Sequence, residues 1–351
     1  MTKLLLSYLL LCCISSVSYG CRGPELAPTT HLKVLQMNIW QEGTMVEGGF
    51  EAIADEIVHT DADIVFLSEV RNYNKKNFIP RILKVLQSRG KNYYGEHSTL
   101  DVGILSKYPI EEQQVVYPTT KGSGNILRAT MRIGTHTIAA YSAHLNYTNY
   151  ACYLPRGYSG ASWKKLDTPV SNADSVLTAN RLSWRDESIR EFLQAAQKDI
   201  TSGHIILLGG DFNEPSHLDW QADTKDLWDH NGLIVNWDCS VMLYKKGFKD
   251  AYRVLHPNAV THPGFTFPSD NKHAPVDKLS WAPDADERDR IDFIYYYPRQ
   301  GFKPKTAAVV GPTTSIVRNQ RVKENSKDHF KTPLNVWPSD HKAVLVTFRL
   351  R

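Results

Sequence analysis

From His31 onward the chain alternates apolar runs of strand length with stretches whose apolar residues recur at helical spacing, and this alternation limits the fold more than any other feature. Residues 32–39 read as a strand, after which Phe50, Ile53, Ala54, Ile57 and Val58 fall on one helical face. Residues 64–67 read as a buried strand, and Phe78, Ile82, Val85 and Leu86 mark a second helix. Strand-like runs follow at 102–106, 126–133 and 137–143, the last two joined by a hairpin turn at Gly134-Thr135. Residues 183–197 read as helix, 205–208 as strand, and 291–296 and 343–348 as the closing strands. Strands in succession separated by helices, with a hairpin among them, predict an α/β fold of two mixed β-sheets packed face to face and flanked by helices. No linker-like composition divides residues 31–351, so that stretch is expected to be one domain.

The N-terminus stands apart from this pattern. Lys3 precedes an apolar run over residues 4–17 that ends in small residues, the pattern of an export signal and too short for a membrane span. Ser18-Tyr19-Gly20-Cys21 resembles a bacterial lipobox, in which the cysteine becomes the lipidated first residue; an ordinary signal peptide cut nearby is the alternative. On the lipobox reading residues 1–20 are the signal, Cys21 carries a lipid anchor and residues 21–30 form a tether. The protein is then expected outside the cytoplasm, as an outer-membrane or periplasm-facing lipoprotein or as a secreted monomer. Cys12 and Cys13 leave with the signal, and Cys152 and Cys239 remain, either bridged in an oxidising compartment or separate as buried thiols.

Formal net charge is +4, from 41 basic against 37 acidic residues. So slight a surplus excludes a protein that grips nucleic acid by charge alone, while a local basic groove stays open. Long irregular stretches lie at 149–176, 219–238, 263–289 and 313–338, and connections of such length are usually functional or disordered. They hold Trp163, Trp220, Trp228, Trp237, Trp281 and Trp337. Tryptophan is scarce in disordered tracts, so these loops are expected to pack, their rings either stapling the loops or stacking on substrate.

Polar residues stand repeatedly where an apolar strand stops. Asn38, Glu69, His144, Asn146, Asp211 and Asn213 follow or end such runs, Asp292 lies in Arg290-Ile291-Asp292-Phe293-Ile294, and Asp340-His341 precede the last strand. Ligands of layered α/β folds gather at strand ends, so this set is expected to share one cleft. Taken singly, a strand-end Asp or Asn is commonly a turn former or helix cap. The assortment carries more than its members: carboxylates and amides are hard oxygen ligands suited to Mg²⁺ or Mn²⁺, and the two histidines supply proton-transfer groups. There is no zinc spacing, no phosphate loop (Gly209-Gly210 lacks the lysine) and no Gly-x-Ser-x-Gly nucleophile elbow.

Gln36-Met37-Asn38, Phe66-Leu67-Ser68-Glu69-Val70, Ala143-His144-Leu145-Asn146, Gly209-Gly210-Asp211-Phe212-Asn213, Arg290-Ile291-Asp292-Phe293-Ile294 and Ser339-Asp340-His341 occur in this order. The set resembles the endonuclease/exonuclease/phosphatase superfamily over residues 31–351. The resemblance implies a four-layer α/β sandwich and a metal-dependent phosphoesterase. It implies that Glu69 is the principal metal ligand, aided by Asn38, with Asp340 near the metal. Asp211 orients or deprotonates the attacking water, and Asn213 hydrogen-bonds a phosphate oxygen. His341, oriented by Asp292, contacts the phosphate or exchanges protons; His144 is the second catalytic histidine, and Asn146 contacts or supports the phosphate. Trp40, and Arg71 after Glu69-Val70, depart from the abasic-site repair pattern.

Three functions remain open: an exported nuclease, a phosphodiesterase or phosphatase of phospholipid head groups, sphingomyelin or inositol phosphates, and a binding module without chemistry. A nuclease calls for a basic stripe beside the cleft; a head-group enzyme calls for a closed pocket. The aromatic and cationic residues of 149–180, Tyr150, Tyr153, Arg156, Tyr158, Trp163, Lys164 and Lys165, either select substrate or roof the site.

Overall fold

A computed structural model describes residues 30–117 and 124–351. The signal at 1–20, the lipidated Cys21 and the tether up to residue 29 lie outside the described residues; Thr30 already opens the first strand. In chain order the elements are β1 (Thr30–Asn38), α1 (Gly49–Thr60), β2 (Ile64–Ser68), α2 (Phe78–Ser88), β3 (Val102–Ser106), β4 (Ile110–Tyr117), β5 (Gly124–Ile133) and β6 (His136–Leu145). There follow α3 (Ala173–Arg181), α4 (Arg185–Thr201), β7 (Ile205–Asp211), α5 (Asp238–Lys245), β8 (Lys249–Asp250), α6 (Ala251–Leu255) and β9 (Asp292–Tyr296). The chain closes with β10 (Lys303–Val310), β11 (Thr314–Val317), β12 (Gln320–Lys323), β13 (Phe330–Lys331) and β14 (Ala343–Leu350).

One six-stranded sheet has the order β13-β10-β14-β1-β2-β3, the other β4-β5-β6-β7-β9-β8, and β11 and β12 form a small hairpin. Both large sheets are mixed: β1–β2 and β6–β7 are parallel pairs, while β1–β14, β5–β6 and β7–β9 are antiparallel. The inner faces meet in one apolar core, where Val34, Phe66 and Ile104 of the first sheet pack with Met131, Ile138 and Leu207 of the second. Outside the first sheet lie α1 and α2, through Ile53, Ile57, Phe78 and Ile82; outside the second lie α4 and α5, through Ile189, Phe192 and Leu243. The result is the four-layer α/β sandwich. Each fully buried Leu, Ile or Phe in these layers contributes roughly 1.5–3 kcal/mol, so the three interfaces hold the sheets in a fixed relation.

Gly209 marks how closely the sheets approach. A Cβ there would lie 2.2 Å from a ring carbon of Phe66, so Gly209 gives clearance for the opposite sheet, while Gly210 fits against the Ala143 backbone of its own sheet. That close approach brings the end of β7 beside the ends of β1 and β2.

The hairpin at Gly134-Thr135 is present, with Ile133 paired to His136. The helix expected at 183–197 starts at Arg185, because Trp184 sits in the left-handed region (φ 64°), and runs on to Thr201. Cys152 and Cys239 are not bridged: both are free, buried thiols, and they belong to different apolar clusters, Cys152 among the loops and Cys239 under the second sheet.

Candidate active site

The register of the strands explains why the polar residues meet. Parallel pairing of β1 with β2 sets Asn38 opposite Ser68, so Glu69 leaves its strand at the edge where Asn38 ends. Parallel pairing of β6 with β7 sets His144 opposite Asp211, and antiparallel β9 sets Asp292 opposite the same Asp211. The chain re-enters the first sheet at β14, antiparallel to β1, which brings Asp340-His341 to that edge as well. The corner before β14 is pinned by Trp337 Nε1 donating to the His341 carbonyl (2.8 Å) and by Ser269 N–H donating to the Asp340 carbonyl (2.7 Å). Trp40, Gln41, Glu42, Glu69 and Asn213 all have positive φ, so the backbone turns sharply just past the strand ends. Such conformations persist where the surroundings hold them, and they gather at functional sites.

Asp211 is the hub. Its Oδ2 accepts from Asn38 Nδ2 at 2.9 Å and lies 3.8 Å from the Nε2 of both His144 and His341; its Oδ1 accepts from Asn213 N–H at 2.8 Å. Each imidazole is held from behind at Nδ1, His144 by Asp101 (2.8 Å) and His341 by Asp292 (2.9 Å). A carboxylate at Nδ1 takes that proton as a hydrogen bond and leaves Nε2 facing the cavity. Burial opposes charge on both rings, yet Asp101 and its hydrogen bond, with Asp211, raise His144 to about 9, and Asp292 and Asp211 raise His341 to about 10.

Glu69 lies next to this group. Its Oε1 accepts from Asn38 Nδ2 (3.2 Å), and its Oε2 accepts from Gln41 N–H (2.8 Å) and pairs with Arg71 (3.3 Å). Burial works against its ionised form, but the charges of His144, Arg71 and His341 prevail and hold it below the ordinary carboxylate range. Asp340 is the reverse case: burial, with Glu69 and Asp211 nearby, pushes its carboxyl up to about 7. Its Oδ1 is buried without a hydrogen-bond partner. An orphaned oxygen beside a second carboxylate suits a hard divalent cation, so Glu69 and Asp340 fit a metal ion. Asp211, Asp292 and His341 are a second group, with potential ligand atoms all within 4.8 Å of one another.

Glu69, His144, Asp211, Asn213, Asp340 and His341 line a single cavity of about 380 Å³. Asn38 and Asp292 stand behind it, fully buried, and act through their neighbours: Asn38 ties Glu69 to Asp211, and Asp292 holds His341. Asn146 is not brought to the cavity. Its amide nitrogen donates to the Ser183 carbonyl (3.0 Å) and its oxygen accepts from Thr148 N–H and Oγ (both 3.0 Å), so the side chain clamps the following loop.

The model of the endonuclease/exonuclease/phosphatase family matches residues 35–341. The chain belongs to that family. It is thereby an enzyme of the phosphoric ester hydrolase class, in a family dependent on divalent metal. Uncharacterized protein F14F9.5 of Caenorhabditis elegans is 29% identical to it across 98% of both chains. Among solved structures, truncated C. elegans TDP2 superposes with TM-score 0.51 at 19% identity, covering 91% of this chain and 97% of that one. The human Nocturnin catalytic domain, with bound sulfate, gives 0.50 at 15% identity, covering 92% and 96%. These likenesses are of fold.

Within this endonuclease/exonuclease/phosphatase site, Asp101 was not legible as a strand-end residue because it precedes β3. Antiparallel pairing with β2 puts the start of β3 at the functional edge, and an acidic residue just before a strand was the only available signal. Arg71, bridging Glu69 and Asp101 (2.6 Å to the latter), is its companion. The remaining wall is aromatic: Trp40, Tyr147, Tyr150, Tyr153, Trp163 and Trp281 line the cavity with Phe267. Trp220 and Trp237, by contrast, are buried in loop packing, and Trp337 is buried on the outer face of the first sheet.

Proposed function

We propose that this chain is an exported hydrolase of phosphodiesters, of the nuclease type, in which water attacks phosphorus in line. The observation that carries the reading is Asp211, set at equal distance from two carboxylate-held imidazoles in a cavity that also holds Glu69 and Asp340. Asp211 orients the water and takes its proton. A histidine Nε2–H donates to the departing oxygen while the other steadies the phosphoryl oxygens, and Asn213 offers an amide hydrogen to one of them. The proton left on Asp211 then returns to imidazole across the short gap, which resets the site. Glu69 and Asp340 would hold Mg²⁺ or Mn²⁺, and such an ion supplies positive charge at a phosphoryl oxygen. Export is supported by the apolar run at residues 4–17 and the small residues after it.

A second reading, a hydrolase of phospholipid or other small head groups, is favoured by one feature. Among the described residues that line the cavity Arg71 is the sole arginine or lysine, and it is engaged with Glu69 and Asp101. A continuous basic track for long nucleic acid is thus not part of the cavity wall that the described residues form.

The test is hydrolysis of bis-(p-nitrophenyl) phosphate by purified protein with Mg²⁺ or Mn²⁺, alongside plasmid DNA, RNA, sphingomyelin and inositol phosphates. Turnover that stops in EDTA and returns with either ion is expected. Full activity after exhaustive chelation, or no phosphodiester cleaved under any condition, contradicts the reading.

A further inference from the structure

Trp163 and Trp281 come from separate loops, yet they form one surface. Their ring centroids lie 5.6 Å apart with planes tilted by 44°. Trp163 rests edge-on against Tyr153 (5.8 Å), and Tyr153 against Tyr150 (4.8 Å), so a row of rings leads from the loop core to the cavity mouth. Buried Glu287 fastens the two loops together. It accepts the Tyr153 hydroxyl from one, and from the other Ser280 Oγ (2.6 Å), Trp281 N–H (3.2 Å) and Ala282 N–H (3.1 Å). The rings are therefore set in place before any ligand arrives, which lowers the ordering cost of binding. Despite that bracing the end of the row is open to solvent: Trp281 is 51% exposed and Tyr147, also on the cavity, 60%. An exposed, preset ring face on the same cavity as Asp211 and His341 asks for a substrate group to cover it.

We infer that this wall is a specificity subsite that stacks an unpaired nucleobase next to the scissile phosphate. The inference rests on the phosphodiester reading above and names its substrate class: nucleotide esters and single-stranded ends rather than duplex. A base inside a duplex has both faces already stacked and cannot offer one to a tryptophan without leaving the helix. A single strand can, and base–aromatic stacking tolerates any sequence. A cavity of about 380 Å³ lies near the small end of the roughly 300–1,000 Å³ common for small-molecule sites, and suits one nucleotide unit. Arg71, already paired, leaves affinity to the rings rather than to a run of phosphate contacts.

The experiment is calorimetric binding to the full chain in Mg²⁺ of adenosine 5′-monophosphate, ribose 5-phosphate and phosphocholine, which differ in what accompanies the phosphate. Adenosine 5′-monophosphate is expected to bind about tenfold more tightly than ribose 5-phosphate. Trp281→Ala should erase that difference while ribose 5-phosphate binding is unchanged, and Trp281→Phe should restore most of it. Equal binding of the two, no measurable nucleotide binding, or an equal loss for both in Trp281→Ala overturns the subsite. Tightest binding of phosphocholine overturns it in favour of a cage for a cationic head group. If the subsite fails while bis-(p-nitrophenyl) phosphate is still cleaved, only this inference falls; if no phosphodiester is cleaved, the functional reading falls with it.

Discussion

Two imidazoles face one carboxylate at the centre of the cavity, each held from behind by a carboxylate of its own, Asp101 or Asp292. That symmetry makes both histidines competent to give and receive a proton at Nε2. His341→Ala and His144→Ala are each expected to lower kcat by about 10²–10⁴-fold, the ordinary worth of a general acid–base group, and steady-state kinetics on bis-(p-nitrophenyl) phosphate checks it. Asp101→Asn keeps an acceptor at His144 Nδ1 but removes its charge. It should lower kcat by at least about tenfold and leave KM within about twofold, as expected for a residue that positions a catalytic group; an unchanged kcat would show that His144 needs no such support. Glu69, His144, Asp211, Asn213, Asp340 and His341 were legible because each follows or borders an apolar run whose end is the functional edge. Asp101 was hidden by strand direction, and Asn146, one residue past β6, follows the loop toward Ser183 instead of the cavity.

At the scale of elements, α1 carries a penalty that pH reveals. Glu56 sits on its buried side, Oε1 accepting from Leu334 N–H (3.1 Å) and Oε2 without a partner. Burial, with Asp55 adding to it, pushes the carboxyl up to about 7. A raised carboxyl holds its proton more firmly in the folded state, so stability is lost as pH climbs from the unfolded value near 4.5 through 7. Glu56→Gln should therefore stabilise the protein by up to about 3 kcal/mol at about pH 8 and hardly at all near pH 4.5, read from denaturant melts at both. No gain at the higher pH would mean that water reaches the group. The helices and strands of the core were legible from their apolar spacing, whereas β4 was not. Its sequence Ile-Glu-Glu-Gln-Gln-Val-Val-Tyr is largely solvent-facing, as an edge strand paired only with β5 can be. β10 was missed for a related reason: Lys303, Lys305 and Thr306 are exposed, and only its second half is buried. α3 and α5 are short, and tertiary packing rather than helical period alone fixes them, α3 among the loops and α5 on the second sheet beside α4.

For the whole molecule, stability comes from layered apolar packing and not from a bridge between Cys152 and Cys239. Both thiols are buried, and burial raises their ionisation well above the ordinary range. Alkylation is thus expected to miss both in the folded protein and to label both after unfolding without reductant, with Tm unmoved by dithiothreitol; a bridged peptide in non-reducing mapping would contradict this. The two sheets have a further consequence, because the site is assembled across them. Asn38 and Glu69 end strands of the first, His144 and Asp211 those of the second, and hydrogen bonds from Asn38 Nδ2 to Asp211 and from Asp211 N–H to Ser68 Oγ span the gap. On the proposed function this junction does chemistry and is not simply a polar seam between sheets. Asp211→Asn preserves its shape and removes the base, so kcat with Mg²⁺ measured beside Tm is the direct test. The expected result is kcat lower by about 10²–10⁴-fold with Tm unchanged or raised, since the charge removed is one that burial, and then Asp292, disfavours. Near-normal turnover in Asp211→Asn, or loss of the fold with it, would show that Asp211 is not the base.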